Sequence, residues 1–300
     1  MQLQHIGLIG YGEVGQAFGA GLCEQVAAIG AWDLKFLAAN TRVAATQQDQ
    51  GAKAGVRACA AMAELCAEAD LLICAVTASH TLAVAQEAAT HLRPGVFFLD
   101  LNSASPSTKQ QAAASIEAAG GHYVEAGVMT SVPPYGIRVP MLIGGSAAAG
   151  LAPVLRGWGM DVTVVSDQLG VASAIKMCRS VMIKGLEALV IESYTTARQY
   201  GVEDRMIPTL QETFPGIDWQ QVGAYFFSRV VQHGQRRAEE MRESASTVRE
   251  AGFEPFMASA IAARQQWVAD RARAGVFEGI DTKNSPWQVY ADRLIDDSRH

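Results

Sequence analysis

Lys176, Ser180 and Lys184 stand four residues apart in the run Gly170-Val-Ala-Ser-Ala-Ile-Lys176-Met-Cys-Arg179-Ser180-Val-Met-Ile-Lys184-Gly-Leu-Glu187. In a helix that spacing sets the three along one slowly drifting face, with Ile175, Val181, Met182 and Leu186 directed largely elsewhere. An ammonium on an otherwise apolar helix is costly to desolvate. Lys176 is therefore expected to act as a general base or acid with a lowered pKa, or to hold an anion. The alternative is a stem that snorkels to solvent, and it weighs more for Lys184 than for Lys176.

A second constellation opens the chain. Gly10-Tyr11-Gly12-Glu13-Val14-Gly15 follows the apolar run at 6–9 and precedes a helical stretch from Gln16. Gly10 permits a tight turn, Gly12 lets the backbone approach a pyrophosphate, and Gly15 lets helix and strand pack closely. The helix N-terminus then faces the phosphate charge. The strand before and the helix after make this loop a dinucleotide site rather than a chance G-x-G-x-x-G.

Cofactor choice is read from the end of the second strand, expected over residues 34–38 and followed by Asn40-Thr41-Arg42. A neutral Asn beside Thr and Arg accepts a 2′-phosphate that a carboxylate would repel, so NADP is expected ahead of NAD. Asp100-Leu-Asn102-Ser103-Ala-Ser-Pro106 closes the apolar run at 96–101. There Asn102 and Ser103 offer an amide and a hydroxyl to a substrate, while Asp100 fixes the loop. The competing reading is a helix N-cap at Ser103 or Ser105 with Pro106 at the first helical position.

The elements that must carry these residues come in two kinds. Apolar runs at 6–9, 34–38, 71–76, 96–101, 123–128, 141–143 and 162–165 alternate with helical stretches such as 16–28 and 79–91. That is the pattern of a doubly wound, mainly parallel α/β sheet of the Rossmann type. After about residue 166 strand-like runs cease, and helices follow, broken at Gly201, Pro208, Pro215-Gly216, Gly252, Pro255 and Gly275. The expectation is a dinucleotide-binding domain over 1–165 and an all-α substrate and dimerisation domain over 166–300. The helical stretches at 225–241 and 257–274 carry more apolar surface than one packing layer buries, which predicts a homodimer.

Composition narrows the function classes. The chain has 300 residues, 49% hydrophobic and 18% charged, with a net charge of -6, which is a globular composition without the positive field that nucleic acid or an anionic membrane requires. Five cysteines without a C-x-x-C pair read as buried reduced thiols of a cytoplasmic protein, and dispersed His residues give no metal site. No run approaches the roughly 18 apolar residues of a spanning helix, and the N-terminus lacks the pattern of a leader. His233-Gly-Gln-Arg236-Arg237 is the densest polar run, either a solvated helical face or a His/Arg pair that neutralises a carboxylate or phosphate.

Together, Gly10-Tyr-Gly12-Glu-Val-Gly15, Asp100-Leu-Asn102-Ser103 and Gly170…Lys176, in that order, resemble the β-hydroxyacid dehydrogenase superfamily, which includes 6-phosphogluconate and 3-hydroxyisobutyrate dehydrogenases. The fuller loop through Pro106 and the run from Lys176 to Ala188 resemble the branch with a phosphogluconate-dehydrogenase-like C-terminal domain of unknown function. The resemblance implies an oxidoreductase that interconverts a small hydroxy acid, a sugar acid among the candidates, and its carbonyl form. It places the catalytic lysine at Lys176, a substrate-binding residue at Ser103 and the cofactor-facing loop at Val76-Thr77. Departures are Ser180 where the family usually has Asn, Met129-Thr130-Ser131 where it often has Ser-Gly-Gly, and Ala172 where it has Gly. Ser180 is expected to be catalytic together with Lys176, Asn102 to contact both substrate and cofactor, and Met129, Thr130, Lys184 and His233 remain expected substrate-site residues. Imine reductases resemble the same first domain and long helix but usually place Asp or Tyr where Lys176 stands. A third alternative is an NADP-binding protein without catalysis.

Overall fold

The computed structural model describes residues 2–37 and 41–299, apart from the side chains at 37, 41–44, 47 and 50. Its internal contacts divide it into two units, Met1–Met177 and Cys178–His300. The boundary expected between residues 165 and 166 lies at the end of the last strand, whereas this division falls inside the helix that follows it.

The first unit is a single eight-stranded sheet in the order β3-β2-β1-β4-β5-β6-β7-β8. Its strands are β1 (His5–Ile9), β2 (Ala28–Trp32), β3 (Val56–Ala58), β4 (Leu71–Cys74), β5 (Phe97–Asp100), β6 (His122–Val128), β7 (Met141–Gly144) and β8 (Val162–Ser166). Six helices connect them: α1 (Glu13–Leu22), α2 (Thr41–Lys53), α3 (Met62–Glu68), α4 (Thr81–Ala89), α5 (Pro106–Ala118) and α6 (Ala148–Gly157). Pairings from β3 to β6 are parallel, β7 runs antiparallel to β6, and β8 returns parallel to β7. Alternate residues feed two cores, as a sheet covered on both faces requires. Ile6, Leu8, Leu71, Ile73, Leu99 and Val124 enter one, and Ile9, Leu72, Cys74, Phe98 and Tyr123 enter the other.

The long helix α7 (Val171–Tyr200) starts in the first unit and runs on into the second. The second unit adds α8 (Glu203–Thr213), α9 (Trp219–Glu250), α10 (Phe256–Arg273) and α11 (Trp287–Asp297). The side chain of Asp218 caps α9 by accepting the Gln221 N–H at 3.0 Å. Its core is aromatic, with the Tyr194 ring 4.9 Å from Trp287 and Phe227 stacked near both Trp287 and Tyr290. Gly234 lets α9 and α10 approach, since a Cβ there would lie 2.9 Å from the Gln265 carbonyl.

Several expectations are corrected. The strand expected over 34–38 is a 3₁₀ turn at Leu34–Leu37, and the second strand is β2, which lies between the expected helical stretch 16–28 and that expected strand. Its weak signature has a packing cause: a Cβ on Gly30 would lie 2.9 Å from Leu65 Cδ1, so the strand's centre must be small where α3 crosses it. The three-residue β3 is too short to show period-2 alternation, and Pro208 sits inside α8 rather than ending a helix. Cys59, Cys66 and Cys74 are buried as expected, but Cys23 and Cys178 are exposed. Burial pushes the Cys59 thiol up to about 11 and Cys66 up to about 12, which makes both poor nucleophiles.

Candidate active site

The glycine loop lies between β1 and α1, and each glycine answers to a different constraint. Gly10 has φ +90, and a Cβ there would stand 2.5 Å from the Ala75 carbonyl oxygen. A Cβ on Gly15 would stand 2.2 Å from the Gly10 carbonyl oxygen, so Gly15 is required for helix and loop to pack. Gly12 differs: it is the N-cap of α1, no side chain caps that helix end, and a Cβ would meet no atom within 4 Å. Backbone N–H groups at a helix N-terminus with open approach fit a dinucleotide pyrophosphate. Glu13 is exposed in the first turn of α1, and Val14 packs partly on the core. The Tyr11 ring is buried 5.8 Å from Phe36, so only its backbone belongs to the loop.

Because β2 ends at Trp32, the residue that follows it is Asp33, not Asn40. Asp33 Oδ2 accepts the Tyr11 N–H at 2.7 Å and Oδ1 accepts the Lys35 N–H at 2.8 Å. A carboxylate in this place, just beyond the second strand, is positioned to accept from an adenosine ribose hydroxyl. Asn40 lies outside the described residues, as do the side chains of Thr41 and Arg42 at the start of α2. The expectation of NADP set Asn40 at the end of a second strand over 34–38, and that strand is instead β2, ending at Trp32. Asp33 was visible in the sequence as an acid 23 positions after Gly10, but the second strand was expected after it, over 34–38, rather than before it.

The loops after β4 and β5 are laced together. Asn102 Oδ1 accepts the Val76 N–H at 2.7 Å, and its Nδ2 donates to Cys74 Sγ at 3.3 Å. Asn102, expected to face a substrate, is thus buried and brackets two loops. Thr77 is exposed beside it, its hydroxyl 2.7 Å from His80 Nδ1. Ser105 rather than Ser103 caps α5, accepting the Thr108 N–H with Pro106 at the helix start. That leaves Ser103 half-buried at the carboxyl edge of the sheet, without a capping role.

Under this loop lies a buried ionic cluster. Asp100 Oδ1 meets Lys109 Nζ at 2.9 Å and the Asn102 N–H at 2.9 Å, while Oδ2 accepts the Tyr123 hydroxyl at 2.5 Å. Lys109 also donates to the Asp100 carbonyl at 3.0 Å. Burial and the Asp100 charge hold the Tyr123 phenol well above its ordinary pKa, so it stays a donor. Asp100 fixes the loop, as expected, but Lys109 and Tyr123 were not foreseen: each carries its polar group on a stem that reads as ordinary helix or strand.

At the end of β6 the sheet meets the start of α7. A Cβ on Gly127 would lie 3.1 Å from the Ala172 carbonyl oxygen and 3.4 Å from Lys176 Cβ, so the strand end and the lysine-bearing turn are in close contact. Lys176 is half-buried there. Met129 follows β6 half-buried, its N–H donating to the Pro140 carbonyl at 2.9 Å, and Thr130 is exposed.

In the second unit the expected residues are engaged with one another. Lys184 Nζ lies 2.6 Å from Glu240 Oε2 and donates to the buried Ser180 hydroxyl at 3.3 Å. Arg237 forms a buried two-pronged pair with Glu187, to which Gln265 adds a bond at 3.2 Å. His233 is half-buried; burial first, then the charges of Arg236, Arg229 and Arg237, lower its pKa to about 4 against the opposing pull of Glu240. Among the described residues no group of three or more His, Cys, Asp or Glu is placed to hold a metal ion. Nor is any helix among them long and apolar enough to cross a membrane.

Comparison with known proteins agrees with this arrangement. Residues 5–166 match the NAD binding domain of 6-phosphogluconate dehydrogenase, and residues 197–268 match the domain of unknown function DUF1932. A conserved hypothetical protein from Sinorhizobium meliloti 1021 is 37% identical, with TM-score 0.74 over 98% of this chain and 97% of that one. A conserved protein whose structure was described as similar to 3-hydroxyacid dehydrogenases is 27% identical, with TM-score 0.67 over 90% of this chain and 98% of the other. Mycobacterium tuberculosis 3-hydroxyisobutyrate dehydrogenase, solved with L-serine, shares the fold at 18% identity and TM-score 0.70, over 90% and 96% of the two chains. Myxococcus stipitatus imine reductase, solved with NADP+ and as a variant with NAD+, shares it at 17% identity and TM-scores of 0.54 and 0.57, over 97–98% of this chain and 99% of each of those. With the family model covering more than half of its length, the chain belongs to the β-hydroxyacid dehydrogenase superfamily, in the branch that joins the NAD binding domain of 6-phosphogluconate dehydrogenase to DUF1932.

Proposed function

We propose that this protein is an NAD(P)-dependent dehydrogenase or reductase that interconverts a small hydroxy acid and its carbonyl form, with Lys176 as general acid and base. The observation that carries the reading is the placement of Lys176 in the second turn of α7 against Gly127 at the end of β6. This is the carboxyl edge of the parallel strands, where the glycine loop, Val76-Thr77 and Ser103 also emerge and where open α/β sheets bind ligands.

The glycine loop from Gly10 to Gly15 and the Val76-Thr77 loop would hold a nicotinamide dinucleotide, which would supply the hydride acceptor for oxidation and the hydride donor for reduction. For oxidation the unprotonated amine of Lys176 takes the hydroxyl proton as the C–H bond breaks, and in the reverse direction the ammonium gives it back. A positioned base of this kind contributes about 10²–10⁴-fold. Ser103 offers a hydroxyl to the substrate, with Met129 and Thr130 on the loop after β6. The pairing of Lys184 with Glu240 supports a structural role for that lysine, and it is left out of the proposed site. Asp33 supports NAD as the preferred cofactor, because its carboxylate suits a ribose hydroxyl and repels a 2′-phosphate.

The exposed Met182, Leu189, Phe256 and Met257 of the helical unit support a homodimer, and the buried thiols support a reducing, cytoplasmic setting. An imine-reductase-like activity is the second reading; it rests on the shared fold, and Lys176 weighs against it. The test is a panel of hydroxy acids and sugar acids assayed with NAD and NADP in parallel, followed by nicotinamide absorbance. Turnover on a hydroxy acid is expected. Cofactor binding without turnover on the panel, together with reduction of a cyclic imine, would replace this reading by the second.

A further inference from the structure

The group nearest to the start of α7 is a fully buried carboxylate that the proposed reaction does not use. Glu125 lies on β6 directly beside Asp100 of β5, and its side chain turns to the first turn of α7. Oε1 accepts the Gly170 N–H at 2.8 Å and the Ala172 N–H at 3.0 Å; Oε2 accepts the Ser173 N–H at 3.3 Å and the Ser173 hydroxyl at 2.7 Å. Four donors on two oxygens use the carboxylate fully. The N–H groups it takes are ones a helix start leaves without intrahelical partners, so a strand residue far away in sequence serves as the cap of α7.

The cradle around Glu125 is tight. A Cβ on Gly144 would stand 2.8 Å from Glu125 Oε1, so β7 carries glycine where the carboxylate passes. Gly170, which donates to it, has φ +103, a backbone that favours glycine and lets the chain turn into the helix. Ala172 and Ser173 precede Lys176 by four and three residues, one helical turn, and so share its face. Two residues beyond Glu125 on the same strand, a Cβ on Gly127 would lie 3.1 Å from the Ala172 carbonyl oxygen and 3.4 Å from Lys176 Cβ, so there is no room for a side chain between the strand and the lysine-bearing turn. The Glu125 bonds fasten the helix start to the strand beside that close approach.

We propose that Glu125 is a positioning residue for Lys176: by binding the Gly170, Ala172 and Ser173 N–H groups it fixes the height and rotation of the first turns of α7 on the sheet, and so sets where the Lys176 amine stands. This rests on the reading of Lys176 as the acid and base. A rigid strand holding a helix start is the kind of support that keeps a reacting group within fractions of an ångström, and misplacement by about 1 Å costs about 10²-fold.

The test uses the full chain carrying Glu125→Gln, which keeps length and one acceptor, and Ser173→Ala, which removes one of the four bonds and leaves the carboxylate in place. Hydrogen exchange of the 170–173 amides is expected to quicken by at least about 10-fold in Glu125→Gln and less in Ser173→Ala, with residues 5–32 unchanged. The NADH dissociation constant should stay within about 2-fold, because two strands, β4 and β5, lie between the glycine loop's strand and β6. With the hydroxy acid the wild type turns over fastest, kcat should fall about 10- to 100-fold in Glu125→Gln while KM changes little. In a Lys176→Met background the same substitution should lower kcat by less than about 2-fold, since a residue acting through the lysine has nothing left to position. Unchanged exchange at 170–173, or kcat losses that multiply with Lys176→Met, would overturn the proposal. A Lys176→Met enzyme with normal kcat would instead overturn the parent reading. If no hydroxy acid on the panel is turned over, the parent reading fails and exchange at the helix start decides this one.

Discussion

Asp33 Oδ2 accepts the Tyr11 backbone N–H at 2.7 Å, which ties the residue that follows the second strand to the glycine loop. One carboxylate thereby braces the turn that would receive the pyrophosphate and presents its remaining lone pairs where an adenosine ribose would lie. Wild-type protein is accordingly expected to bind NADH more tightly than NADPH, by about 10-fold or more. Asp33→Asn keeps an acceptor for Tyr11 and removes the charge, so the gap between the two cofactors should narrow. Calorimetric titration with each cofactor checks this, and a wild-type preference for NADPH would contradict it.

The three loop glycines should separate into fold and function. Gly15→Ala drives a methyl into the Gly10 carbonyl and is expected to destabilise the first unit by about 1–3 kcal/mol. Gly12→Ala meets no protein atom, so its melting temperature should stay near wild type while NADH affinity falls about 10-fold or more. Thermal melts paired with cofactor titrations distinguish the two. A Gly12→Ala protein with normal NADH affinity would mean that the helix N-terminus is not where the dinucleotide lies.

What the sequence made legible was the part of the site that is local. Gly10-Tyr-Gly12-Glu-Val-Gly15 reads as a dinucleotide loop because turn, phosphate approach and helix start occupy six consecutive positions, and Lys176 draws a proposal because a charge on an apolar helix needs a reason. The same holds for the doubly wound sheet, whose buried strands are continuous apolar runs. Asp33 was missed because β2 has glycine at its centre and alanine beside it, too small to read as a strand. Glu125 and Lys109 were missed for a different reason: their partners lie 45 or more and 9 residues away, and nothing in a strand such as Tyr-Val-Glu-Ala-Gly says that its acid will cap a helix. Asn102 was legible as important but not as buried, since its bonds run to Val76 and Cys74 across a neighbouring strand.

The titration of His233 offers a check on the helical unit alone. Burial and three arginines lower its pKa from the ordinary 6.5 to about 4. Between those values the unfolded chain binds a proton that the folded chain does not, so this residue lowers stability progressively as pH falls from about 6.5 toward 4 and costs nothing above 6.5. Its imidazole resonances should show no titration near neutrality, and His233→Gln should flatten part of the fall in melting temperature between pH 7 and pH 4.5. An imidazole titrating close to 6.5 would show that the cationic cluster on α9 does not surround it.

Whether Lys176 moves the hydroxyl proton is decided by single-turnover kinetics of Lys176→Met with saturating NAD and the hydroxy acid that the wild type oxidises fastest. Methionine keeps the apolar stem against Gly127 and removes only the amine, so fold and NADH affinity should be retained. The hydride-transfer rate is predicted to fall by about 10²–10⁴-fold. A rate within a few-fold of wild type would contradict the assignment of Lys176 as the general base.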